Sequence, residues 1–471
     1  MRGSAQVFSA IFFFAFSFLN QLQAVESYRR NIALDQWLQS QKNIAREKLL
    51  KNISAEGTSP GSVIASPSKS EPDYFRHWIR DAGLTMNLVI SFYENASTPE
   101  EKNHFFQRMM DYIDFSRLNQ TTPNPSGGLG EPLFLVNGEP FNQGWGRPQN
   151  DSPAIRAMVL TRWAHVLLNE GKEDLVRQKL YDNKIPAYTV IKADLEYTSH
   201  HWADRCFDLW EEVKGHHFYT RMVQRRALVD GAKLATRLGD GGAASWYQEQ
   251  AELLSREIQN HWSSDRKLIQ TTLNYEAGAH YKNSNLDASS ILAIMHADTH
   301  DGFFPVYDDR ALVTANKLIE TFRSLYPINQ HGPGVAIGRY PEDVYNGTGT
   351  SEGSPWILLT AGFGEYHYRV AKGFKAKGEI TINDVNIDFF RGLLPGNSQI
   401  KLGKINRGEA LFGEIIRALA NRGDSFMERT KLHTANDGSM SEQMNRHNGF
   451  LQGARDLTWS YAGFLVAAWE R

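Results

Sequence analysis

Residues 221–262 read RMVQRRALVDGAKLATRLGDGGAASWYQEQAELLSREIQNHW. Ala227, Leu234 and Leu238 recur at helical spacing as far as Gly239-Asp240-Gly241-Gly242, where the pattern breaks, and it restarts at once with Trp246, Leu254, Ile258 and Trp262. Apolar residues on a 3.6-residue period form one face of a helix, and a glycine cluster between two such faces is a tight turn. The stretch predicts an αα-hairpin.

The same periodicity runs outward in both directions. Leu34, Trp37, Leu38, Ile44 and Leu49 follow it, as do Leu84 and Leu88, and helical stretches are predicted at about 100–117, 151–170, 308–325, 356–372, 406–421 and 455–469. Alternating strand patterns are scarce. Long Gly/Pro-rich segments at 53–77, 118–149, 197–210, 266–285, 329–353 and 436–454 alternate with tight turns such as 239–242. If helix hairpins pack around a ring, every second connection falls on the same end, so one face collects the long loops. That face is the expected place for a site, since long loops in a compact domain usually serve function.

With 471 residues, 41% apolar and 12% aromatic, the chain can bury a large core. Fifty-one Lys and Arg against 53 Asp and Glu leave a net charge of -2, with no basic stripe for a phosphate backbone, so nucleic acid is excluded as a partner. Arg2, the apolar run Val7–Leu19 and the ending Leu22-Gln23-Ala24 predict a signal peptide over residues 1–24. The run is shorter than the ~20 apolar residues that cross a bilayer, so no membrane anchor is expected. The chain is then expected to be secreted, extracellular or, in a bacterium, periplasmic, with residues 25–471 forming one catalytic domain and acting as a monomer. Cys206, the lone cysteine, allows no intramolecular disulfide. Asn52, Asn95, Asn119, Asn150 and Asn346 stand in sequons that could accept glycans in a eukaryotic host.

The long loops set Trp or Tyr beside charge: His77-Trp78-Ile79-Arg80-Asp81, Gly144-Trp145-Gly146-Arg147-Pro148, Asp208-Leu209-Trp210-Glu211-Glu212 and Arg339-Tyr340-Pro341-Glu342-Asp343. A sugar ring needs this combination, because its C–H face packs on an aromatic plane while its hydroxyls want charged donors and acceptors. Glycoside hydrolysis also needs two carboxyl groups, one protonated and one to activate water or attack. Glu211 and Glu212, between Trp210 and Val213, have the partly apolar setting that raises a carboxyl pKa; the competing reading is a solvated helix N-terminus. Glu442, in Ser439-Met440-Ser441-Glu442-Gln443, fits a helix capping box with Ser439 on its local sequence alone.

Other chemistries lack their residues. No HExxH occurs, and His200-His201 and His216-His217 are adjacent pairs that point apart on regular structure. Gly127-Gly128-Leu129-Gly130 lacks the P-loop lysine and the dinucleotide spacing, there is no Gly-x-Ser-x-Gly, and nothing marks Cys206 as a nucleophile. No metal and no organic cofactor is implied.

The motifs together resemble the glucoamylases, glycoside hydrolase family 15. The resemblance runs through Ala65-Ser66-Pro67-Ser68, Asp73-Tyr74-Phe75, Trp78-Ile79-Arg80-Asp81, Gly128-Leu129-Gly130-Glu131-Pro132, Gly144-Trp145-Gly146-Arg147-Pro148-Gln149, Asp208-Leu209-Trp210-Glu211-Glu212-Val213, Gly338-Arg339-Tyr340-Pro341-Glu342-Asp343, Pro355-Trp356 and Ala454-Arg455-Asp456-Leu457-Thr458-Trp459-Ser460-Tyr461. It implies an all-α (α/α)6 barrel and an exo-acting hydrolase that frees glucose, with inversion, from the non-reducing ends of α-1,4-glucans. By the same resemblance Glu211 is the general acid and Glu442 the base; for Glu442 it overrides the capping-box reading. Arg80, Asp81 and Arg339 would clamp the terminal glucose and Glu212 would meet the next sugar. Trp145 and Trp356 would form pocket walls, Tyr74 and Trp459 would flank the reacting carbon and the base, and Gln443 would help hold the water. Trp78, Leu209 and Trp210 belong to the same substrate-binding set. An inverting pair should stand ~6.5–9.5 Å apart.

The chain departs from the fungal members at Val213-Lys214-Gly215-His216-His217, where small polar residues are usual, which leaves α-1,4 against α-1,6 preference open. Isomaltose, dextran or trehalose are the alternative substrates, and a glycan-binding relative without catalysis or a structural helical scaffold are the non-enzymatic alternatives.

Overall fold

The structure, a computed structural model, describes residues 31–471. The predicted signal segment, residues 1–24, lies outside them. The chain divides into two units between Ser40 and Gln41. Residues 31–40 of the first hold the start of helix α1 (Ile32–Lys51), and the second half of α1, from Gln41 on, belongs to the second unit, Gln41–Arg471.

Eleven further helices of eight residues or more shape that second unit: α2 (Ile79–Glu94), α3 (Pro99–Thr121), α4 (Asp151–Asn169), α5 (Val190–His201), α6 (Phe218–Arg237), α7 (Gly241–Gln259), α8 (Ser289–His296), α9 (Asp309–Leu325), α10 (Ile357–Lys377), α11 (Ala410–His433) and α12 (Thr458–Glu470). The even-numbered helices form a closed inner ring, in which α2 packs on α4, α4 on α6, α6 on α8, α8 on α10, α10 on α12 and α12 on α2. Outside it, α3, α5, α7, α9 and α11 each pack on the inner helix that precedes them. Asn52, just past α1, donates from Nδ2 to Thr458 Oγ1 at 2.8 Å and so ties the second half of α1 to the start of α12. This is the expected (α/α)6 barrel.

Burial follows from ring position. An inner helix touches neighbours on most sides and is buried almost all round, as in α10, where Ile357 to Tyr368 is one uninterrupted buried run. An outer helix buries a stripe, as α9 does with Ala311, Leu312, Ala315, Leu318, Ile319 and Phe322. Each such apolar side chain contributes roughly 1.5–3 kcal/mol on burial.

The hairpin at 221–262 is α6 and α7. Gly239 takes the left-handed conformation (φ +80°) past the end of α6, and Asp240 caps α7 by accepting from the Ala243 N–H at 3.3 Å. α7 ends at Gln259, and Trp262 falls in a short strand beyond it. Helices α5 and α8 went unread: the first five residues of the predicted loop 197–210 are the end of α5, and α8 is eight residues long and buried as far as Met295, so it shows no period.

The long connections carry more structure than predicted. They hold short antiparallel strands of two to seven residues: β1 (His77–Trp78) pairs with β2 (Leu133–Phe134), β3 (Cys206–Phe207) and β5 (Thr272–Gly278) flank β4 (Val213–His217), and β6 (Ser441–Met444) pairs with β7 (Leu451–Arg455). Such lengths are too short for an alternating pattern to register. Among the described residues no helix is long and apolar enough to cross a membrane.

Of the five sequon asparagines, Asn52, Asn119 and Asn150 are buried, at 4%, 2% and 1% exposure; they serve the interior, and the expectation of five glycan acceptors shrinks to the exposed Asn95 and the half-buried Asn346. Protein secreted from a eukaryotic host should therefore carry endoglycosidase-sensitive mass on the peptides of Asn95 or Asn346 alone. A glycan on any of the other three would contradict this fold.

Candidate active site

The chain enters every inner helix from the same end, and the predicted site residues gather there. Arg80 and Asp81 lie in the first turn of α2, Trp356 directly precedes α10, and Trp459 is the second residue of α12. Glu211 and Glu212 sit in the turn before β4, which leads into α6, and Glu442 sits on β6, which leads by way of β7 to α12. None of the three is part of a helix, so the helix N-terminus reading of Glu211 and Glu212 and the capping-box reading of Glu442 are corrected. Ser439 Oγ instead meets Asp437.

Thirteen of the fourteen residues proposed from the sequence line one cavity of about 310 Å3: Tyr74, Trp78, Arg80, Asp81, Trp145, Leu209, Trp210, Glu211, Glu212, Arg339, Trp356, Glu442 and Trp459. Gln443 lies behind the wall. Its Nε2 donates to the Tyr345 carbonyl at 3.4 Å and its Oε1 accepts from Gln452 Nε2 at 3.1 Å. Tyr345, Ala65, Gly146 and Leu457 also line the cavity. Tyr345 escaped the sequence reading, although it stands two residues after the Arg339–Asp343 motif; adjacency to that motif was its one available signal.

The Glu211 backbone is left-handed, φ +69°, a conformation that costs a non-glycine residue of order 1–3 kcal/mol and persists where its surroundings enforce it. Asp208 enforces it: the Glu211 N–H donates to the Asp208 carbonyl at 2.8 Å, and Asp208 Oδ1 accepts from the N–H groups of Glu212 and Val213 at 2.8 and 2.9 Å. One oxygen of the Glu211 carboxyl, Oε1, takes three donors, Trp78 Nε1 at 2.9 Å, Gln149 Nε2 at 3.1 Å and Arg80 Nη2 at 3.4 Å. Burial pushes the group up to about 7, against the pull of Arg80 and the Gln149 hydrogen bond. In a protonated carboxyl the carbonyl oxygen accepts and the other oxygen carries the proton. Three donors on Oε1 therefore direct a proton to Oε2.

Glu442 is 1% exposed. Tyr74 donates its hydroxyl to Oε1 at 3.0 Å, and Tyr345 lies 3.0 Å beyond, hydroxyl to hydroxyl. Oε2 has no protein partner. Burial pushes this carboxyl up to about 8, with Tyr74 and Arg339 working the other way. The two acids thus hold their protons in the order opposite to an acid and a base, and the donor pattern, not the order, separates them. Asp81 is also pushed up, to about 6, by burial against the pull of Arg80.

Arg339 anchors the far wall. It pairs bidentately with Asp343 at 2.8 and 2.6 Å, reaches Glu212 Oε1 at 2.8 Å, and lies 5.3–5.5 Å from the ring centroids of Trp210, Tyr340, Tyr345 and Trp356. Arg80 pairs with Asp151 of α4 at 2.8 Å. Trp145, 38% exposed, stands at the rim edge-on to Trp78. The departure at 213–217 is strand β4, whose Lys214 pairs with Glu276 and whose His216 faces the Ala203 carbonyl; none of the five lines the cavity. Cys206 is buried in β3, and burial pushes its thiol up to about 12, far from a reactive thiolate.

The sequence profile of the glycosyl hydrolases of family 15 matches residues 41–469. The chain belongs to that family. This glycoside hydrolase is 40% identical over 443 residues to a glucoamylase of Blastobotrys adeninivorans, covering 92% of this chain and 70% of the relative. It is 36% identical to glucoamylase 1 of Rhizopus oryzae, with 94% and 72% covered. Its structure superposes on that of the Saccharomycopsis fibuligera glucoamylase with a TM-score of 0.85 at 33% identity, covering 93% of this chain and 95% of the other.

The raised carboxyls of this glycoside hydrolase have a consequence for stability. Glu442 moves from an ordinary 4.5 to about 8 on folding. Below 4.5 both states hold the proton and nothing is lost; between 4.5 and about 8 the unfolded chain releases a proton that the folded chain keeps, so stability falls as pH rises. Glu442→Gln cannot ionise. Its thermal midpoint should match the wild type at pH 4 and exceed it increasingly towards pH 8; a difference that is constant with pH would refute the burial of this group.

Proposed function

We propose that this glycoside hydrolase removes single glucose units from the non-reducing ends of α-1,4-glucans and maltooligosaccharides with inversion to β-glucose. Glu211 acts as general acid and Glu442 as general base. The reading is carried by one observation: the buried Glu442 and the partly buried Glu211, presented from separate connections of the barrel, border the same small, aromatic-walled cavity. At about 310 Å3 the cavity is at the small end of the roughly 300–1,000 Å3 of ligand sites, which suits the end of a chain rather than its middle.

In this reading the terminal glucose sits among Arg80, Asp81 and Arg339, between the Trp210, Trp356 and Trp459 rings. Glu211 Oε2 donates its proton to the glycosidic oxygen as the C1–O bond breaks. On the opposite face the Glu442 carboxylate takes a proton from the attacking water. Tyr74 and Tyr345 supply hydroxyls beside the Glu442 carboxylate before it takes that proton. The Gln443 side chain supports this arrangement from behind, through the Tyr345 carbonyl. The mature protein is residues 25–471, exported after loss of residues 1–24.

During the first minutes on maltotriose, proton NMR should show β-glucose before mutarotation; early α-glucose would rule out inversion. Glu211→Gln and Glu442→Gln should each lower kcat by roughly 10²–10⁴. Because Glu211 must hold its proton while Glu442 has released its own, wild-type kcat/KM should be greatest at a pH between about 7 and about 8 and fall on either side. A Cβ on Gly146 would lie 2.5 Å from the Glu211 carbonyl oxygen. Gly146→Ala should thus lower kcat/KM at least about tenfold by shifting the acid, while circular dichroism keeps the helical spectrum.

A further inference from the structure

Lys282, in the connection that follows β5, is absent from the cavity wall, yet its side chain is only 7% exposed. Its Nζ donates to Asp208 Oδ2 at 3.1 Å and lies 3.2 Å from Asp287 Oδ2 and 3.9 Å from Glu212 Oε2, above the Tyr340 ring at 3.9 Å. One ammonium faces three carboxylates, and each of the three holds a different part of the site. Asp208 closes the turn that carries Glu211. Asp287 accepts from Trp210 Nε1 at 2.9 Å. Glu212 stands in the cavity wall itself, with Arg339 on one oxygen and the Tyr340 hydroxyl, at 2.6 Å, on the other. The segment bearing Lys282 is fastened in turn to the Arg339–Asp343 motif, since the Ser284 N–H and hydroxyl donate to Glu342 at 2.6 and 2.9 Å.

Three buried carboxylates this close cannot all stay ionised without a cation among them. Burial opposes the charge on Lys282, but Asp208, Asp287 and Glu212 outweigh it and hold the ammonium above its usual range. Of the three acids, Glu212 alone faces the cavity, so the loss of the cation reaches substrate through Glu212.

We propose that Lys282 is a positioning residue whose ammonium fixes the Glu212 carboxylate for the sugar on the leaving-group side of the scissile bond. This rests on the α-glucan reading above. It predicts a dependence on the leaving group: maltose offers hydroxyls to Glu212, whereas p-nitrophenyl α-glucoside offers none there.

Lys282→Met keeps the aliphatic stem on the Tyr340 ring and removes the charge. KM for maltose should rise and kcat/KM fall about tenfold or more, the loss expected for a hydrogen bond to a charged group, while kcat/KM for the aryl glucoside stays within about twofold. On a Glu212→Gln background the same change should add less than about twofold for maltose. Lys282→Arg should recover part of the maltose activity. Equal losses on both substrates, or an unchanged ratio between them, would overturn the assignment. Where the Met variant fails to fold, the maltose-to-aryl-glucoside ratio of Lys282→Arg decides: a lowered ratio supports the role and the wild-type ratio refutes it. A wild type that cleaves neither substrate would sink the glucan reading itself, which separates the two failures.

Discussion

Charge taken out of water at one end of the inner ring is the constraint on which the rest depends. Arg80, Asp81, Asp151, Asp208, Glu212, Arg339, Asp343 and Glu442 all lie behind or along one cavity wall with no more than a fifth of their side chains exposed. Buried ions persist only when paired and hydrogen-bonded, so each needs a partner, from its own connection or from another helix pair. Arg80 finds Asp151 on the next inner helix, and Arg339 finds Asp343 and Glu212. The barrel end is therefore held by the pairs that shape the site, and a change in one wall is transmitted to its neighbours.

The two carboxyls that escape full pairing are those assigned to the chemistry. Glu211 collects three donors on one oxygen and leaves the other towards the cavity. Glu442 has one oxygen on Tyr74 and one without a protein donor. Incomplete satisfaction of a buried group destabilises the fold, which is the general relation between strained or unsatisfied sites and function. The left-handed Glu211 backbone is a second local cost of the same kind. Asp208, with two backbone N–H groups on one oxygen, supplies the opposing force.

Leaving-group recognition follows from the same economy of cations. Lys282 and Arg339 approach Glu212 from two sides, and Trp210 is tethered through Asp287 to the same ammonium. The aromatic walls and the ionic network are thus one structure. Glu211 and Glu212 are adjacent in sequence but serve opposite needs: one keeps a proton among few cations, the other is flanked by two cations.

The sequence by itself determined the helix pair at 221–262, because a 3.6-residue period and a glycine turn are local properties of that stretch, and most of the other helices, but not α5 or α8. It also determined that Trp, Arg and Glu concentrate in the long connections, and thirteen of the fourteen residues named from those motifs do meet in one cavity. Tertiary structure decided the rest. Ser439 and Glu442 match a capping box in sequence, yet β7 draws the segment into a strand, because pairing with residues seven to fourteen positions away is invisible to a local helix pattern. Lys282, Tyr345 and the burial of the sequon asparagines depend in the same way on neighbours brought from distant segments. Whether a carboxyl is desolvated, and which of its oxygens faces the cavity, is set by those neighbours and not by the residues beside it in the chain.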